Sequence, residues 1–242
     1  MKRFPHTPGR THSTPLLGLL GLLVSLGGAL QAQATAATPM LDALSITIQF
    51  DSTTVARGSM RFRQVRAGAD LELLASGIVV RRGLRVTAEL HTDSLFGLRK
   101  YVAESRDSAG HLIDRVQVTS AGGRVTLERV SASHRMVREY VAQRDLMILD
   151  SAAVVPFVAL ASIAQRATTI AFLDVRHGTL TVAQVMPGAQ VELSVAEVIV
   201  SGTPIVVTGL TGPLVWWRDA KGHLLRVAWG GRSRVLRDDP PT

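Results

Sequence analysis

Short segments in which apolar and polar residues alternate recur along residues 35–242 and are separated by glycine-containing turns. The clearest is Leu84–His91, where every second side chain is apolar and the intervening ones are polar. Successive side chains of a strand point to opposite faces, so this pattern predicts a half-buried strand. The same alternation is present in Val125–Val130 and in Val191–Val195, where Glu192 and Ser194 point away from the apolar face.

Turn signals divide these segments at the spacing expected of hairpins. They are Arg82-Gly83, Ser108-Ala109-Gly110, Ala121-Gly122-Gly123, His177-Gly178, Pro187-Gly188 and Lys221-Gly222. We count about eleven candidate strands. Few connections are long enough for a crossover between parallel strands, so we expect an antiparallel sheet built mostly from sequential hairpins.

One segment, Asp150 to Arg166, lacks alternation and is rich in alanine. Pro156 suits the first turn of a helix, because its missing N–H has no intrahelical acceptor to lose. The sequence therefore predicts a helix from about residue 156 to residue 166. Its faces are apolar almost all round, which favours burial in the concave face of a curved sheet. A surface helix at a partner interface is the alternative.

The expected fold is therefore all-β with one buried helix. We expect an open half-barrel, a curved antiparallel sheet of about eleven strands wrapped around a short apolar helix. Residues 35–242 are expected to form a single domain of this kind. The chain has no cysteine, so no disulfide can support it and hydrophobic burial has to hold it together.

Residues 1–34 have the pattern of an export signal. Lys2, Arg3 and Arg10 precede an uncharged, leucine-rich run from Leu16 to Leu30, and Ala32-Gln33-Ala34 follows as a small-x-small site. We expect cleavage near Ala34 and a periplasmic or secreted protein. A membrane anchor is the alternative, although it needs about 20 apolar residues and this run is shorter.

Arginine supplies most of the positive charge. The whole chain carries a formal net charge of +8, which falls to +5 without the three cations of the predicted signal. The arginines are scattered along the predicted strands rather than collected in blocks. They are compatible with anionic lipid head groups or a polyanion, and equally with a compositional preference for arginine. Because the chain is expected to be exported, nucleic acid is not expected as a partner.

Sequence motifs for catalysis or metal binding are absent. No two histidines have the spacing of a metal site, and neither a Gly-x-Ser-x-Gly nor a Ser-x-x-Lys motif occurs. The glycines form no phosphate-binding loop. We expect no catalytic residues, no metal and no cofactor, and thus a protein that is not an enzyme. An envelope hydrolase stays open only if the fold brings His134 to a serine and an aspartate.

The closing hairpin, Gly212 to Val227, is the most distinctive segment of the predicted domain. It contains Trp216-Trp217, then Asp219-Ala220-Lys221-Gly222, and then Leu224 to Val227. This hairpin resembles the end of exported half-barrel proteins similar to the lipoprotein-carrier (LolA/LolB-like) superfamily and to related periplasmic families of unknown function. The resemblance implies an unclosed sheet of about eleven strands around a helical lid, with acyl chains held in the apolar concavity.

These considerations lead to a set of candidate binding residues. The expected apolar lining is Phe157, Leu160 and Ile163 on the helix, Val182, Leu193 and Val195 on strands, and Trp216 on the closing hairpin. The expected head-group contacts are Arg81, Arg82 and Arg85. We hypothesise an exported soluble module that binds a lipid or another apolar molecule. A membrane surface and an envelope protein are the further candidate partners. The alternative is a structural or protein-interaction component of the cell envelope with a fully packed core.

Overall fold

A computed structural model describes residues 40–68, 70–157, 159 and 168–241 of the chain. The predicted export signal and most of the predicted helix, including Leu160 and Ile163, lie outside these residues. The described residues belong to one compact unit. Within them, no helix has the length and apolar character needed to cross a membrane.

Sixteen strands make up the described part of the chain. They are β1 (Met40–Phe50), β2 (Thr53–Ala67), β3 (Asp70–Arg81), β4 (Leu84–Asp93), β5 (Leu98–Arg106), β6 (Leu112–Ala121), β7 (Arg124–Ser131), β8 (Arg135–Val141), β9 (Leu146–Leu149), β10 (Thr169–Asp174), β11 (Thr179–Pro187), β12 (Val191–Val195), β13 (Val198–Thr208), β14 (Leu214–Arg218), β15 (Leu224–Trp229) and β16 (Ser233–Arg237).

All sixteen strands belong to one mixed sheet, and the sheet is not closed. Its order is β8-β7-β6-β5-β4-β3-β2-β1-β16-β15-β14-β13-β11-β10-β9, and β12 pairs only with β13. Neighbours are antiparallel except β9 and β10, which are parallel. Most pairs are sequential hairpins, as expected, but β1 pairs with β16, so the first described strand lies beside the last.

The predicted half-barrel of about eleven strands around a buried helix is wrong. The sheet has sixteen strands, and the described part of the chain contains no helix as an element. Only Pro156, Phe157 and Ala159 take helical conformation there. Among the described residues, the β9–β10 end of the sheet forms part of the interior. All four residues of β9 and four of the six residues of β10 are buried.

The sheet rolls up so that its β9–β10 end packs against the inner face of β5 to β8. Tyr101 on β5 donates a hydrogen bond to Asp150, which follows β9, at 2.7 Å. The turn after β10 reaches the other edge of the sheet, where Tyr140 on β8 donates to the Gly178 carbonyl at 2.7 Å. The two ends thus meet through side chains rather than through a strand ladder.

A buried ion pair accompanies the long-range pairing of β1 with β16. Arg237 on β16 donates to both carboxylate oxygens of Asp42 on β1, at 3.0 and 3.1 Å, and both residues are buried. A bidentate arginine–carboxylate pair is geometrically specific. Since a slip of one residue would turn each side chain to the opposite face of its strand, this pair fixes the register of the junction.

Candidate functional site

The segment that follows β9 crosses the interior of the rolled sheet. It starts at Asp150, beside Tyr101 on β5, and then passes β3. A Cβ atom on Gly77 would lie only 2.7 Å from Val155 Cγ2, so the absence of a side chain at Gly77 lets the segment approach β3. Phe157 ends the path with its ring edge-on to that of Trp229 on β15, at 6.1 Å between centroids.

A pocket of about 680 Å³ opens between this segment and the strands β1, β15 and β16. We call it the Phe157 pocket. Its lining consists of Ile48, Gln49, Phe50, Val55, Arg81, Arg82, Asp150 to Val154, Phe157, Val227, Trp229, Gly230, Arg232, Ser233 and Val235. The lining is mostly apolar, and the volume falls within the range of about 300–1,000 Å³ that is typical of small-molecule sites.

Arginines line part of this pocket. Arg81 and Arg82 come from the end of β3 and its turn, are exposed, and pair with no carboxylate among the described residues. Arg232 differs, because it is bound to Asp51 through an Nε–Oδ1 contact of 2.8 Å and lies over the Phe50 ring. Arg81 and Arg82 are therefore the two lining cations that are free to bind an anionic group.

A second pocket, of about 520 Å³, shares Trp229 with the Phe157 pocket. We call it the adjoining pocket. Its lining consists of Leu149, Phe172, Asp174, His177, Thr179, Thr181, Leu210, Thr211 and Trp229. The Trp229 side chain thus stands at the boundary of two cavities, and Phe157 packs against it from one side.

Beside the Phe157 pocket, a buried ionic network ties the β9–β10 end to β5, β6 and β7. Arg176, in the turn after β10, donates to Asp150 at 2.8 Å and also pairs with Asp114 on β6. Arg129 on β7 donates to Asp114 at 3.0 Å and to the Arg176 carbonyl at 2.8 Å. Asp150 lines the pocket, but its oxygens are occupied by Arg176, Tyr101 and the Ala152 amide.

The network perturbs the titration of its members. Burial raises the pKa of Tyr101 well above its usual range, and the adjacent Asp150 carboxylate raises it further. Burial alone would lower the pKa of Arg176, but Asp150 and Asp114 raise it above its ordinary value. Tyr101 therefore stays a neutral donor and Arg176 stays a cation, so the network acts as a fixed structural contact.

A third cavity, of about 510 Å³, lies between β12 and the pair β15–β16, and we call it the outer cleft. Leu193 and Val195 on β12 line it together with Leu225 and Arg226 on β15. Arg226 stacks over the Trp217 ring at 5.1 Å. The β12–β13 hairpin thus covers a small apolar patch that is separate from the rolled interior.

The predicted binding residues are divided among different places. Phe157, Arg81 and Arg82 meet at the Phe157 pocket, whereas Leu193 and Val195 lie at the outer cleft. The side chain of Val182 is 62% exposed, and Trp216 is fully buried without lining the Phe157 pocket.

Arg85 on β4 is exposed and is also outside the lining of the Phe157 pocket. The sequence reasoning missed Ile48, Val227, Trp229 and Val235, although alternation along β1, β15 and β16 was a signal for their inward orientation.

The histidines form no catalytic or metal-binding arrangement in the described part of the chain. His111, His177 and His223 each place Nδ1 within 2.8–3.0 Å of an aspartate in the same turn. Among the described residues, no hydroxyl or carboxylate lies within hydrogen-bonding distance of the His134 ring. The Ser131 hydroxyl donates to the His134 carbonyl instead, at 3.2 Å. No group of three or more potential metal ligands occurs among them either.

No family model matches this chain, and neither a curated protein nor a solved structure matches it. The resemblance of the closing hairpin to the lipoprotein-carrier families therefore stays a prediction.

Proposed function

We propose that this protein is an exported, non-enzymatic binding protein that holds a lipid or a similar apolar molecule in the Phe157 pocket. One observation carries the proposal: a mostly apolar cavity of about 680 Å³ is lined by two arginines, Arg81 and Arg82, that pair with no carboxylate among the described residues. This combination suits an amphiphile that has an apolar chain and an anionic head group. The predicted export signal is the basis for placing the protein in the periplasm or outside the cell.

The apolar part of the pocket supplies the main driving force in this proposal. Each methylene group moved from water into an apolar site contributes about 0.8 kcal/mol. A single acyl chain can therefore reach useful affinity without a polar sequence motif. Arg81 and Arg82 would orient the ligand by pairing with its carboxylate or phosphate, a contact that is stronger than a hydrogen bond between neutral groups.

A fluorescent fatty acid and its uncharged methyl ester test this proposal in solution. We expect both probes to bind. Val235→Trp fills the pocket and should abolish binding of both, whereas Val137→Trp adds the same bulk at an exposed position of β8 and should leave binding unchanged. Equal binding by the parent and the Val235→Trp variant, with both proteins folded by circular dichroism, would refute the pocket assignment.

The two arginines are tested with the same probes. Arg81→Ser/Arg82→Ser should weaken binding of the fatty acid by about tenfold or more, since a hydrogen bond to a charged group is worth about 1.5–3 kcal/mol. Binding of the methyl ester should stay the same. Arg85→Ser is the matched control, because this neighbouring arginine does not line the pocket. Equal losses for the acid and the ester would exclude a head-group contact.

A second candidate is a protein-interaction component of the cell envelope. Exposed apolar side chains on β11, β12 and β13 favour it; they are Val182, Met186, Val191, Val198 and Ile199. Several exposed apolar side chains on neighbouring strands are typical of interaction sites where they share one face. The two candidates differ in the Phe157 pocket, because an interaction component does not need to take up an apolar molecule. Failure of both probes to bind the parent protein would favour the second candidate.

A further inference from the structure

Six exposed or half-exposed arginines lie on the outer face of neighbouring strands, and we call them the arginine face. On β2, Ala56, Met60 and Phe62 are buried in the interior, so Arg57, Arg61 and Arg63 at the alternate positions point outward. The remaining members are Arg85 on β4, Arg226 on β15 and Arg234 on β16.

The strand registers place three of these arginines in one row across the sheet. Arg57 is opposite Val80 on β3, which is opposite Arg85 on β4. In the other direction, Arg57 is opposite Thr47, followed by Leu236 and then Arg226. Neighbouring strands lie about 4.8 Å apart, so this row from β4 to β15 spans about 24 Å of surface.

Among the described residues, these arginines have no carboxylate partner, whereas three arginines farther along the sheet do. On β6, β7 and β8, Arg115, Arg124 and Arg135 pair with Glu104, Glu139 and Glu128 at 3.8, 2.8 and 2.8 Å. Among the described residues, no carboxylate lies within ion-pair distance of any member of the arginine face. The nearest acids by register are Glu89 on β4, which shares a row with Arg61, and Glu104 on β5, which is diagonal to Arg85. Glu104 pairs with Arg106 and Arg115 at 2.9 and 3.8 Å, and Glu89 lies 3.9 Å from His91.

The lowered pKa of Arg226 agrees with a surface whose positive charges are not balanced by nearby carboxylates. Burial lowers the pKa of its guanidinium, and the neighbouring Arg234 lowers it further. Its Nε has no hydrogen-bond partner in the described part of the chain. Repulsion between like charges without counter-ions destabilises the folded state. Binding to an anionic surface would reduce this repulsion.

We infer that the arginine face docks this protein on the anionic surface of a lipid bilayer. A bilayer suits the arginine face better than a soluble polyanion, because the face contains an exposed apolar residue and borders the Phe157 pocket. Val80, which is 54% exposed, adds an apolar contact within the row. Arg81 and Arg82 follow it directly and line the Phe157 pocket, so the face and the pocket meet at the β3–β4 turn. This choice of partner rests on the proposed function.

Vesicle flotation tests the inference with protein recovered from a bacterial periplasm after expression of the full chain. We expect binding to vesicles of phosphatidylcholine mixed with phosphatidylglycerol, little binding to phosphatidylcholine alone, and release at high salt. Each arginine near an anionic surface contributes about fivefold to binding, so Arg57→Ser/Arg61→Ser/Arg63→Ser should lower the partition coefficient about 100-fold.

The matched control is Arg115→Ser/Arg124→Ser/Arg135→Ser, which removes the same charge from ion-paired positions. Its partition coefficient should fall by no more than about fivefold, the effect of one arginine. Equal losses in the two triple variants would overturn the inference, because net charge alone would then explain binding. If heparin bound the protein tightly and fully displaced it from the vesicles, the inference would also be overturned. The partner would then be a soluble polyanion.

The docking inference and the pocket proposal can fail separately. The Arg57→Ser/Arg61→Ser/Arg63→Ser variant should still bind the uncharged probe, whereas Val235→Trp should still float with anionic vesicles. Loss of vesicle binding in Val235→Trp would contradict a separate docking face. Vesicle binding without any probe binding would support docking and reject the proposed ligand pocket.

Discussion

At the residue scale, the turn between β12 and β13 places two ordinary residues in a conformation that favours glycine. Ala196 and Glu197 have φ values of 49° and 66°. Left-handed backbone costs a residue with a side chain roughly 1 kcal/mol or more. The same two-residue turn is formed with glycine at Gly122-Gly123, where φ is 57° and 75°.

We therefore expect Ala196→Asn/Glu197→Gly to raise the free energy of unfolding by about 1 kcal/mol, because Asn-Gly is the preferred pair in such hairpin turns. Urea unfolding followed by circular dichroism measures the change. Gly123→Ala is the opposite control: its new methyl group would meet nothing within 4 Å, so conformational strain alone should lower stability. A stabilised Gly123→Ala variant would contradict this reasoning.

Asp107 makes the turn between β5 and β6 sensitive to acid. Hydrogen bonds from the His111 amide and side chain lower the pKa of Asp107 below 3.8, and the Ala109 amide adds to this. A lowered pKa means that the ionised carboxylate stabilises the fold above pH 3.8. This contribution is lost as the pH falls through the lower pKa of the folded state.

Asp107→Asn should therefore unfold at a lower temperature than the parent near neutral pH. The difference in melting temperature should shrink as the pH falls below 3.8. Asp70→Asn removes the same charge at an exposed position and serves as the control. A difference for Asp107→Asn that stays constant down to the acid transition would rule out the carboxylate as its cause.

Turns that contain glycine could be predicted from the sequence, whereas turns without glycine could not. Arg82-Gly83 and Gly122-Gly123 were predicted as turns and are found with positive φ. Asp51-Ser52 forms the β1–β2 turn without glycine, although its φ values are 48° and 68°. Ala196-Glu197 likewise forms a turn with positive φ and without glycine. These two turns were missed because their backbone conformation is imposed by the paired strands rather than by the turn residues.

At the scale of elements, the ionic network around Arg176 holds the β9–β10 end inside the rolled sheet. Asp114 contributes one carboxylate from β6 and is only 7% exposed. Asp114→Asn would leave Arg129 without a carboxylate partner and Arg176 with Asp150 alone, so two cations would share one carboxylate in a largely buried place. Breaking one partner of a buried ion pair costs roughly 3–5 kcal/mol.

We expect Asp114→Asn to lower the free energy of unfolding by about 3 kcal/mol and to increase hydrogen exchange in β9 and β10 before the rest of the sheet. Glu139→Gln is the control, because its ion pair with Arg124 is on the surface and such pairs contribute about 1 kcal/mol or less. Uniform exchange across all strands would show that the network stabilises the whole fold and not this end in particular.

The strands were predictable where one face is exposed. β4 alternates between buried and open positions, as its sequence indicated. β9 could not be recognised in this way, since Leu146–Leu149 is a continuous apolar run buried on both faces. Neither its parallel pairing with β10 nor the total of sixteen strands follows from alternation, because both depend on how the sheet rolls.

At the scale of the whole molecule, Trp229 separates two cavities. Trp229→Leu should join the Phe157 pocket to the adjoining pocket, because both are lined by this side chain. Affinity should then rise with probe chain length beyond the point where it levels off in the parent. Isothermal titration with a series of fatty acids measures this, and Trp217→Leu on the outer face is the control. Identical length profiles would show that the cavities stay separate.

The pairing of β1 with β16 could not be predicted from local sequence patterns. Asp42 and Arg237 are 195 positions apart, yet they form one buried pair. Alternation predicts each strand by itself, but the pairing of the first strand with the last depends on contacts between residues far apart in the sequence. Phe157, Arg81 and Arg82 were candidates from the sequence and line one cavity, whereas the strands that complete this cavity follow only from the β1–β16 junction.

Native mass spectrometry of protein recovered from a bacterial periplasm tests the ligand pocket most directly. We expect the parent to carry an adduct on the order of a few hundred daltons that extracts into organic solvent as a lipid. The Val235→Trp variant, purified in parallel, should carry none. A parent protein without any adduct that also fails to bind added fatty acid would contradict the proposed function.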